Sequence, residues 1–244
     1  QDWQIDTTSY EEVLNAHKNK QANIGLVLGS ISGVMDIDCD SHEAVTITKH
    51  LVGGYLGYFT RCEDSAHYLF LCEQGGKTVR LSDPEGRTLV ELRGNGGQTM
   101  VPPSIHPDGT VLVYSECADK APLHVYETLY QHVHLIGAAS LLMRRWNPGS
   151  RHDLSMCLAG LCQSIGMTCE DTRKIVGLLC AVTDDEGVDD RLNTVIGTFD
   201  RPDNLNMGFS GLEKLLDRSS AEKIADWLRK GYGSALARPA VAIN

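Results

Sequence analysis

Residues 34–40, with the sequence VMDIDCD, constrain the fold of this chain more than any other stretch. Successive side chains of a β-strand point to opposite faces, so Asp36 and Asp38 would share one face while Met35 and Ile37 anchor the other in a core. Two neighbouring carboxylates repel each other unless a cation neutralises them. Magnesium and manganese prefer oxygen ligands of this kind. The stretch therefore has two interpretations: a metal site, or a strand that ends in a solvated acidic turn.

The composition is that of an ordinary globular protein. The chain has 244 residues, of which 42% are hydrophobic and 22% charged, enough to bury the core of one large domain or two smaller ones. No run of about 18 apolar residues occurs, so the sequence predicts no membrane span. The 8 cysteines are never spaced as C-x-x-C, which argues against a zinc ribbon and favours a reducing, cytoplasmic setting.

The net charge of −10 argues against a protein that merely coats nucleic acid, because such proteins are normally basic. It leaves room for an enzyme that has a local basic groove. Part of the acidity lies in residues 183–190 (TDDEGVDD), which the sequence predicts to be a solvated loop.

The first half of the chain is predicted to alternate strands with short helices. Helices are expected at residues 9–20 and 41–51, each with a polar cap and acidic residues in its first turn. Apolar runs predict further strands at residues 24–29, 56–60, 68–72, 87–92 and 111–114. Gly and Ser residues between the strand at 24–29 and the strand that carries Asp36 favour a hairpin joining the two.

From residue 123 onward the pattern is helical. Residues 123–146 predict one long or broken helix, and Asn147-Pro148-Gly149 is the best domain boundary in the chain. Beyond it, apolar residues recur at i, i+3 and i+4 in five stripes between residues 154 and 228, which predicts a helical bundle. We therefore expect an α/β (α+β) catalytic domain with a mixed or antiparallel sheet at residues 1–146. A small all-α domain would follow at residues 147–244.

Polar residues interrupt the predicted strands at two places. His67 begins a strand, directly after a polar loop that holds Ser65. Glu91 lies inside the apolar run at 87–92, where a carboxylate is costly unless it has a partner. Arg93, on the same face of that strand, or a metal ion would supply the partner.

A segment rich in Gly and Pro follows the acidic strand. Gly96 and Gly97 allow a close approach of the backbone to a ligand, and His106 lies between two rigid turns. Packing within the Pro-rich loop explains His106 equally well.

The order of these features resembles the catalytic core of the archaeo-eukaryotic primase superfamily, and most closely the bifunctional primase–polymerases of plasmids, phages and mobile elements. The acidic pair lies in MDID, His67 in SAHYLF and Glu91 in VELRGNGGQTMVPPSIHPDG. The last segment is the most specific, because Gly-Gly, Pro-Pro-Ser and His-Pro-x-Gly follow the acidic strand in that order. The resemblance covers roughly residues 20–115 and extends only vaguely into the helical part.

The resemblance implies a DNA primase or polymerase that joins nucleoside triphosphates on a single-stranded DNA template. Asp36, Asp38 and Glu91 would bind Mg²⁺ or Mn²⁺, and His67 would hold the incoming triphosphate. Position suggests further nucleotide-binding candidates, which are Ser65, Arg93, Gly96, Gly97 and His106.

The sequence departs from the family pattern in three ways. The third acidic residue is often Asp in the family and is Glu91 here, although Glu also supplies oxygen ligands. The zinc-binding Cys/His insertion of some relatives is not visible. The helicase domain of the family is also not visible. Because the chain starts QDWQ and stops at PAVAIN, we expect a piece of a longer protein that works with a downstream helicase domain or partner, and a processed chain would have similar ends.

Arg144, Arg145 and Arg151 form a basic cluster near the expected boundary, which predicts contacts with nucleic-acid phosphates. Starting a chain requires two free nucleotides to be held together on a single strand, which costs more ordering entropy than extending a primer. We therefore expect the helical domain to be a template-binding and primer-initiation module. The alternative is that these arginines are solvated and the bundle is a spacer.

Two other functions remain open from the residues alone. An acidic pair with His and Glu also suits a metal-dependent nuclease or phosphohydrolase. A non-catalytic nucleic-acid or protein-binding module would merely leave Asp36 and Asp38 solvated at a strand end.

Overall fold

The computed structural model describes residues 9–20 and 22–233. Its strands are β1 (Ile24–Val27), β2 (Val34–Cys39), β3 (Gly57–Cys62), β4 (Ser65–Leu71), β5 (Val79–Ser82), β6 (Thr88–Arg93), β7 (Gln98–Val101) and β8 (Tyr114–Cys117). Its helices are α1 (Tyr10–Lys20), α2 (His42–Leu51), α3 (Tyr126–Met143), α4 (Arg151–Ser164), α5 (Cys169–Val182), α6 (Val188–Phe199), α7 (Gly208–Leu215) and α8 (Arg218–Tyr232). The predicted fold class, an antiparallel α/β half followed by helices, is confirmed. No described helix has the length and apolar character needed to cross a membrane.

The larger sheet has six strands in the order β5-β6-β2-β4-β3-β8. Strand β2 pairs antiparallel with β4 on one side and with β6 on the other. All six residues of β2 are buried. Met35, Ile37 and Cys39 share the face that lies opposite the acidic pair, and each is 0% exposed. The predicted division of this strand into an apolar face and an acidic face is therefore confirmed.

The hairpin expected between β1 and β2 is wrong. Strand β1 instead pairs antiparallel with β7 in a separate two-stranded sheet. Both edges of β2 are already occupied by β4 and β6, so β1 finds no free edge there. A single bridge between Gly29 and Val34 is what remains of the expected pairing. Gly29 and Gly33 adopt positive φ values of 87° and 69°, which turn the chain away between the two strands.

The two sheets meet through an apolar cluster. Its buried members come from β2, β3, β4, β7 and the adjoining loops, and they are Leu28, Val34, Phe59, Leu69, Val101 and Leu112. Leu69 lies directly opposite Asp36 across the β2–β4 ladder, so it shares the acidic face of the larger sheet. The two-stranded sheet therefore covers part of that face with apolar side chains.

The last strand of the first half lies later than expected. Residues 111–114 were predicted as a strand, but β8 spans Tyr114–Cys117, and Val111 and Val113 are exposed. Val111 forms an isolated antiparallel bridge with Ile105, which makes residues 104–112 a short hairpin beside β7. Strand β5 was not predicted, because a strand of four residues is too short for its alternation of apolar and polar side chains to be recognised.

The described residues divide into two compact units. The first comprises the residues up to 45 together with 52–80 and 90–130, and it contains most of both sheets. The second comprises residues 46–51 and 81–89 and everything described from 131 onward. The expected domain boundary between residues 146 and 147 stays a prediction, since the helical unit also includes most of α3 and two short segments from the first half.

The helical unit is built on α4, which packs against α5, α6 and α7. The predicted stripe on α4 is buried at Leu154, Cys157, Leu158, Leu161 and Cys162. Each of these side chains except Leu161, at 2%, is no more than 1% exposed. The stripe therefore forms the core of the bundle, as its spacing predicts.

The acidic run at 183–190 is a solvated loop only in part: Asp184, Glu186, Asp189 and Asp190 are exposed, but residues 188–190 begin α6 and Asp185 is buried. Asp185 is only 4% exposed and lies among donors. The indole N–H of Trp146 donates to Asp185 Oδ2 at 3.2 Å, and the backbone N–H of Gly187 donates to Oδ1 at 3.0 Å. The guanidinium groups of Arg151 and Arg191 contact the same carboxylate at 3.3 and 3.2 Å. The Asp185 carboxylate therefore links α4, α6 and the segment that follows α3. The number of charges in the run does not reveal this role.

Replacing Asp185 with Ala should lower the free energy of unfolding by about 3 kcal/mol, because two largely buried guanidinium groups would lose their shared acceptor. Urea unfolding followed by tryptophan fluorescence measures this loss. Glu186→Ala is the matched control, since Glu186 is exposed in the same loop and should leave the midpoint unchanged. Equal midpoints for the two variants would show that the Asp185 network contributes no net stability.

Candidate active site

The register of three strands brings the predicted acidic residues and His67 together. Asp38 lies directly opposite His67 on β4 and Glu91 on β6, while Asp36 lies opposite Arg93. Residues that oppose each other in an antiparallel ladder project from the same face. Asp36, Asp38 and Glu91 are 0%, 3% and 5% exposed, so three carboxylates share one buried patch.

His67 is held in place by both a hydrogen bond and a ring contact. Its Nδ1 donates to Asp36 Oδ2 at 2.9 Å and lies 3.5 Å from Asp38 Oδ1. Its ring stacks on Phe59, with ring centroids 4.8 Å apart. Burial by itself would lower the pKa of His67, but the carboxylates of Asp36 and Asp38 outweigh it and raise the pKa above its ordinary value. The ring is therefore biased towards the imidazolium form.

Arg93 supplies the second cation of the patch. Its Nη2 lies 2.6 Å from Asp38 Oδ2, and its Nε donates to Glu91 Oε2 at 3.1 Å. Arg80 on β5 contacts the other oxygen of Glu91 at 3.2 Å. The interpretation that Arg93 is the partner of the buried Glu91 is thus confirmed, and the guanidinium bridges β2 and β6.

Two observations show that these cations do not fully compensate the burial of the acidic pair. Burial raises the pKa of Asp38 to about 7, even with His67 and Arg93 beside it. Asp36 Oδ1 is buried without a hydrogen-bond partner. A buried, unsatisfied carboxylate oxygen is rare and calls for an ion or a water.

These observations test whether a divalent cation fits. Among the described residues, no group of three or more His, Cys, Asp or Glu side chains is already arranged to hold a metal ion. Asp36 and Asp38 nevertheless offer hard oxygen ligands, and the buried Asp36 Oδ1 has no hydrogen-bond partner that a cation would have to displace. Glu91 would join them only by exchanging an arginine contact for the cation. The residues therefore fit Mg²⁺ or Mn²⁺ at the acidic pair, and the three-carboxylate site stays a prediction.

A cavity of about 220 Å³ opens beside this patch. Its charged or titratable lining residues are Asp38, Asp40, Arg61, His67, Arg93 and His106. Its remaining lining residues are Ser65, Thr99, Met100 and Leu112. The structure thus brings four predicted nucleotide-binding residues, Ser65, His67, Arg93 and His106, to one cavity.

Gly96 and Gly97 do not line the cavity. The backbone N–H of Gly97 donates to Gly94 O at 2.9 Å, and its carbonyl accepts from the backbone N–H of Leu28. Gly96 has a positive φ of 78° in the same turn, which explains the glycine there. The Gly97 amide closes the turn between β6 and β7, and nucleotide binding by Gly96 and Gly97 stays a prediction.

Sequence reasoning missed three polar lining residues, Asp40, Arg61 and Thr99. Asp40 continues the alternation of Asp36 and Asp38, a signal that was visible in the sequence. Arg61 lies near the end of β3, and only the pairing of β3 with β4 brings it to the cavity. Thr99 comes from β7, whose pairing with β1 could not be read from local pattern.

The three arginines assigned to nucleic acid all lie in the helical unit, in different settings. Arg151 donates to Asp185 Oδ1 and to the carbonyl of Thr183, which gives it a structural role. Arg144 contacts the buried Asp83 at 3.1 Å. Arg145 is exposed and lines a cavity of about 140 Å³ together with Arg144. Contact with nucleic acid stays a prediction for all three, and Arg145 is the best placed for it.

Comparison with protein families gives one match. The model described as "Bifunctional DNA primase/polymerase, N-terminal" (Prim-Pol) matches residues 1–124, just over half of the chain. Every residue that lines the 220 Å³ cavity lies inside the matched range. No curated protein sequence matches the chain. The resemblance inferred from the motifs is therefore confirmed.

The raised pKa of Asp38 predicts how stability depends on pH. The folded protein keeps a proton on Asp38 up to about pH 7, whereas the unfolded chain releases it near the ordinary value of 3.8. This contribution to stability is therefore lost as the pH rises through that window. Asp38→Asn mimics the protonated form, so it should melt at a higher temperature than wild type, and the difference should be larger at pH 8 than at pH 5.

Thermal unfolding at the two pH values checks this expectation. Asp119→Asn, at an exposed position, controls for a general change in net charge. A variant Asp38→Asn that is no more stable than wild type at pH 8 would mean that ionised Asp38 is fully compensated by Arg93 and His67.

Proposed function

The chain belongs to the Prim-Pol family of bifunctional DNA primase/polymerase N-terminal domains, and from this premise we propose that it is a metal-dependent, template-directed nucleotidyltransferase. The substrates would be nucleoside triphosphates, and the template would be single-stranded DNA. The observation that carries the proposal is the convergence of Asp36, Asp38, Glu91 and His67 on one face beside an open cavity.

The acidic pair would hold the Mg²⁺ or Mn²⁺ ions, with Glu91 as the third carboxylate. When bound, such ions lower the pKa of a primer 3′-hydroxyl and hold the triphosphate with its leaving group. Buried carboxylates with an unsatisfied oxygen are suited to this task, because a cation there would remove the repulsion between them.

His67 and Arg93 would contact the phosphates of the incoming nucleotide. Both line the cavity, and both are oriented by carboxylates, Arg93 by Asp38 and Glu91 and His67 by Asp36. His67 is held in addition by its stacking on Phe59. Preorganised donors of this kind stabilise the charge that develops on the phosphates without having to reorient during the reaction. Nδ1 of His67 is occupied by Asp36, so the imidazolium would use Nε2 to donate to a phosphate oxygen.

The acidic pair gives the decisive test. Asp36→Ala and Asp38→Ala should each reduce nucleotide incorporation on a primed template by more than the roughly 10- to 100-fold loss that follows removal of a supporting residue at a metal site. A labelled primer–template with all nucleoside triphosphates and Mn²⁺ reports both elongation and shortening of the strand. Asp119→Ala, which removes an exposed carboxylate, should keep full activity.

Each outcome of that assay has a meaning. Elongation by wild type that is lost in both acidic variants supports the proposal. Shortening of the strand by wild type would instead identify a nuclease. Full incorporation by either acidic variant would refute the metal-binding role of that carboxylate.

We also propose that the helical unit takes part in starting a chain, with Arg145 contacting phosphates of the template or first nucleotide. Arg145→Ala should lower primer synthesis on an unprimed template several-fold and leave extension of a supplied primer nearly unchanged. It should also reduce the dependence of template affinity on salt by about one counterion. The matched control is Arg218→Ala in the same unit, because that exposed arginine pairs with Glu222 and Glu213. Equal losses in initiation and extension would contradict this division of roles.

A further inference from the structure

Arg61 lines the mouth of the cavity, and no role was predicted for it from the sequence. We propose that Arg61 binds the triphosphate of the incoming nucleotide and that His106 and Asp108 position its guanidinium group. This inference rests on the proposed function and extends it, because it names a further phosphate-binding residue and the side chains that orient it.

The charge balance of the cavity singles out Arg61. His67 and Arg93 are already paired with Asp36, Asp38 and Glu91. Arg61 also lines the cavity and is exposed, and no carboxylate oxygen of the described residues lies within 4.0 Å of its guanidinium group. Asp40, which lines the same cavity, interacts with Arg61 electrostatically but forms no ion pair with it, so the guanidinium group keeps donors for an entering polyanion.

The contact between Arg61 and His106 has a defined direction. Arg61 Nη1 lies 3.0 Å from His106 Nε2. A guanidinium group can only donate, so Nε2 must accept and carry no proton. His106 Nδ1 lies 3.0 Å from Asp108 Oδ2 and 3.4 Å from the Asp108 backbone nitrogen. The shorter contact places the ring proton on Nδ1, from which it is donated to the Asp108 carboxylate.

Asp108 is itself fixed by the hairpin. Its Oδ1 accepts the backbone N–H of Thr110 at 2.9 Å, and the backbone N–H of His106 donates to Thr110 O at 2.8 Å. The hydrogen bonds from Thr110, together with the contact to His106, lower the pKa of Asp108 to about 2. An ionised Asp108 keeps the neutral ring of His106 in the tautomer that accepts from Arg61. The hydrogen-bonded series Asp108–His106–Arg61 therefore holds the exposed guanidinium group of Arg61 in one orientation.

The geometry suits a phosphate ligand. The bond to His106 uses one of the five N–H donors of Arg61, and the remaining donors form a planar fork that matches phosphate oxygens. A neutral histidine orients the arginine without neutralising it, whereas a carboxylate at the same place would cancel its charge. His106 thus acts through Arg61 as a positioning residue.

Direct binding of a deoxynucleoside triphosphate tests the role of Arg61. Calorimetric titration of dATP with Mg²⁺ should give a dissociation constant about tenfold higher for Arg61→Ala than for wild type, which is the usual loss for one charge-assisted contact. Inorganic tripolyphosphate should lose affinity by a similar factor, because the contact is to phosphate rather than to the base. Arg61→Lys keeps the charge without the fork and should lie between the two, and Arg218→Ala should bind as wild type does.

A double-mutant cycle tests the positioning role of His106. His106→Ala should weaken dATP binding several-fold, while His106→Gln, whose carbonyl can still accept from Arg61, should restore part of the affinity. Asp108→Ala should weaken binding in the same direction. In the double variant Arg61→Ala/His106→Ala, the loss should equal that of Arg61→Ala alone, because His106 acts only through the arginine.

The outcomes separate this inference from the proposed function. Unchanged affinity for dATP and tripolyphosphate in Arg61→Ala would overturn the phosphate-binding role, even if wild type polymerises nucleotides. Additive losses in the double variant would overturn the positioning role of His106. If wild type binds dATP through Arg61 but never extends a primer, the inference stands and the proposed function fails.

Discussion

The structure depends on the burial of two carboxylates in the central strand of a sheet. Asp36 and Asp38 have lost nearly all contact with water, which is costly for ionised groups unless opposite charges compensate them. The compensation comes from neighbouring strands, with His67 on one side and Arg93 on the other. A slip of one residue in either ladder would turn both carboxylates toward the apolar face, so the site and the register of the sheet require each other.

The face of each strand could be predicted from the sequence, but the neighbour of each strand could not. Alternation alone placed Asp36 and Asp38 on one face of their strand, and Glu91 and Arg93 on one face of another strand. The structure agrees on both. The same reasoning failed for β1, because a period of two says nothing about which edge a strand will find. Arg61 was missed for the same reason, since its place at the cavity follows from the order of β3 and β4 rather than from any motif.

In the helical unit, composition misled where periodicity did not. The apolar stripe on α4 is buried as its spacing predicts. The acidic run at 183–190 looked uniformly solvated, yet Asp185 is surrounded by Trp146, Arg151 and Arg191. These partners lie between 6 and 39 residues away in the sequence. Contacts with residues distant in the sequence therefore decide whether a charged side chain is buried beside a partner. The contact with Asp185 is also what gives Arg151 a structural role.

The two walls of the cavity come from different sheets. Asp38, His67 and Arg93 stand on the six-stranded sheet, whereas Thr99 and Met100 stand on the two-stranded one. The two-stranded sheet and the hairpin beside it meet the larger sheet through apolar side chains that tolerate exchange for others of similar volume. During evolution one wall can therefore vary while the charged wall is conserved. Exchanges among the apolar side chains of β7 would reshape that wall of the cavity, and the charged side chains on β2, β4 and β6 would keep their places.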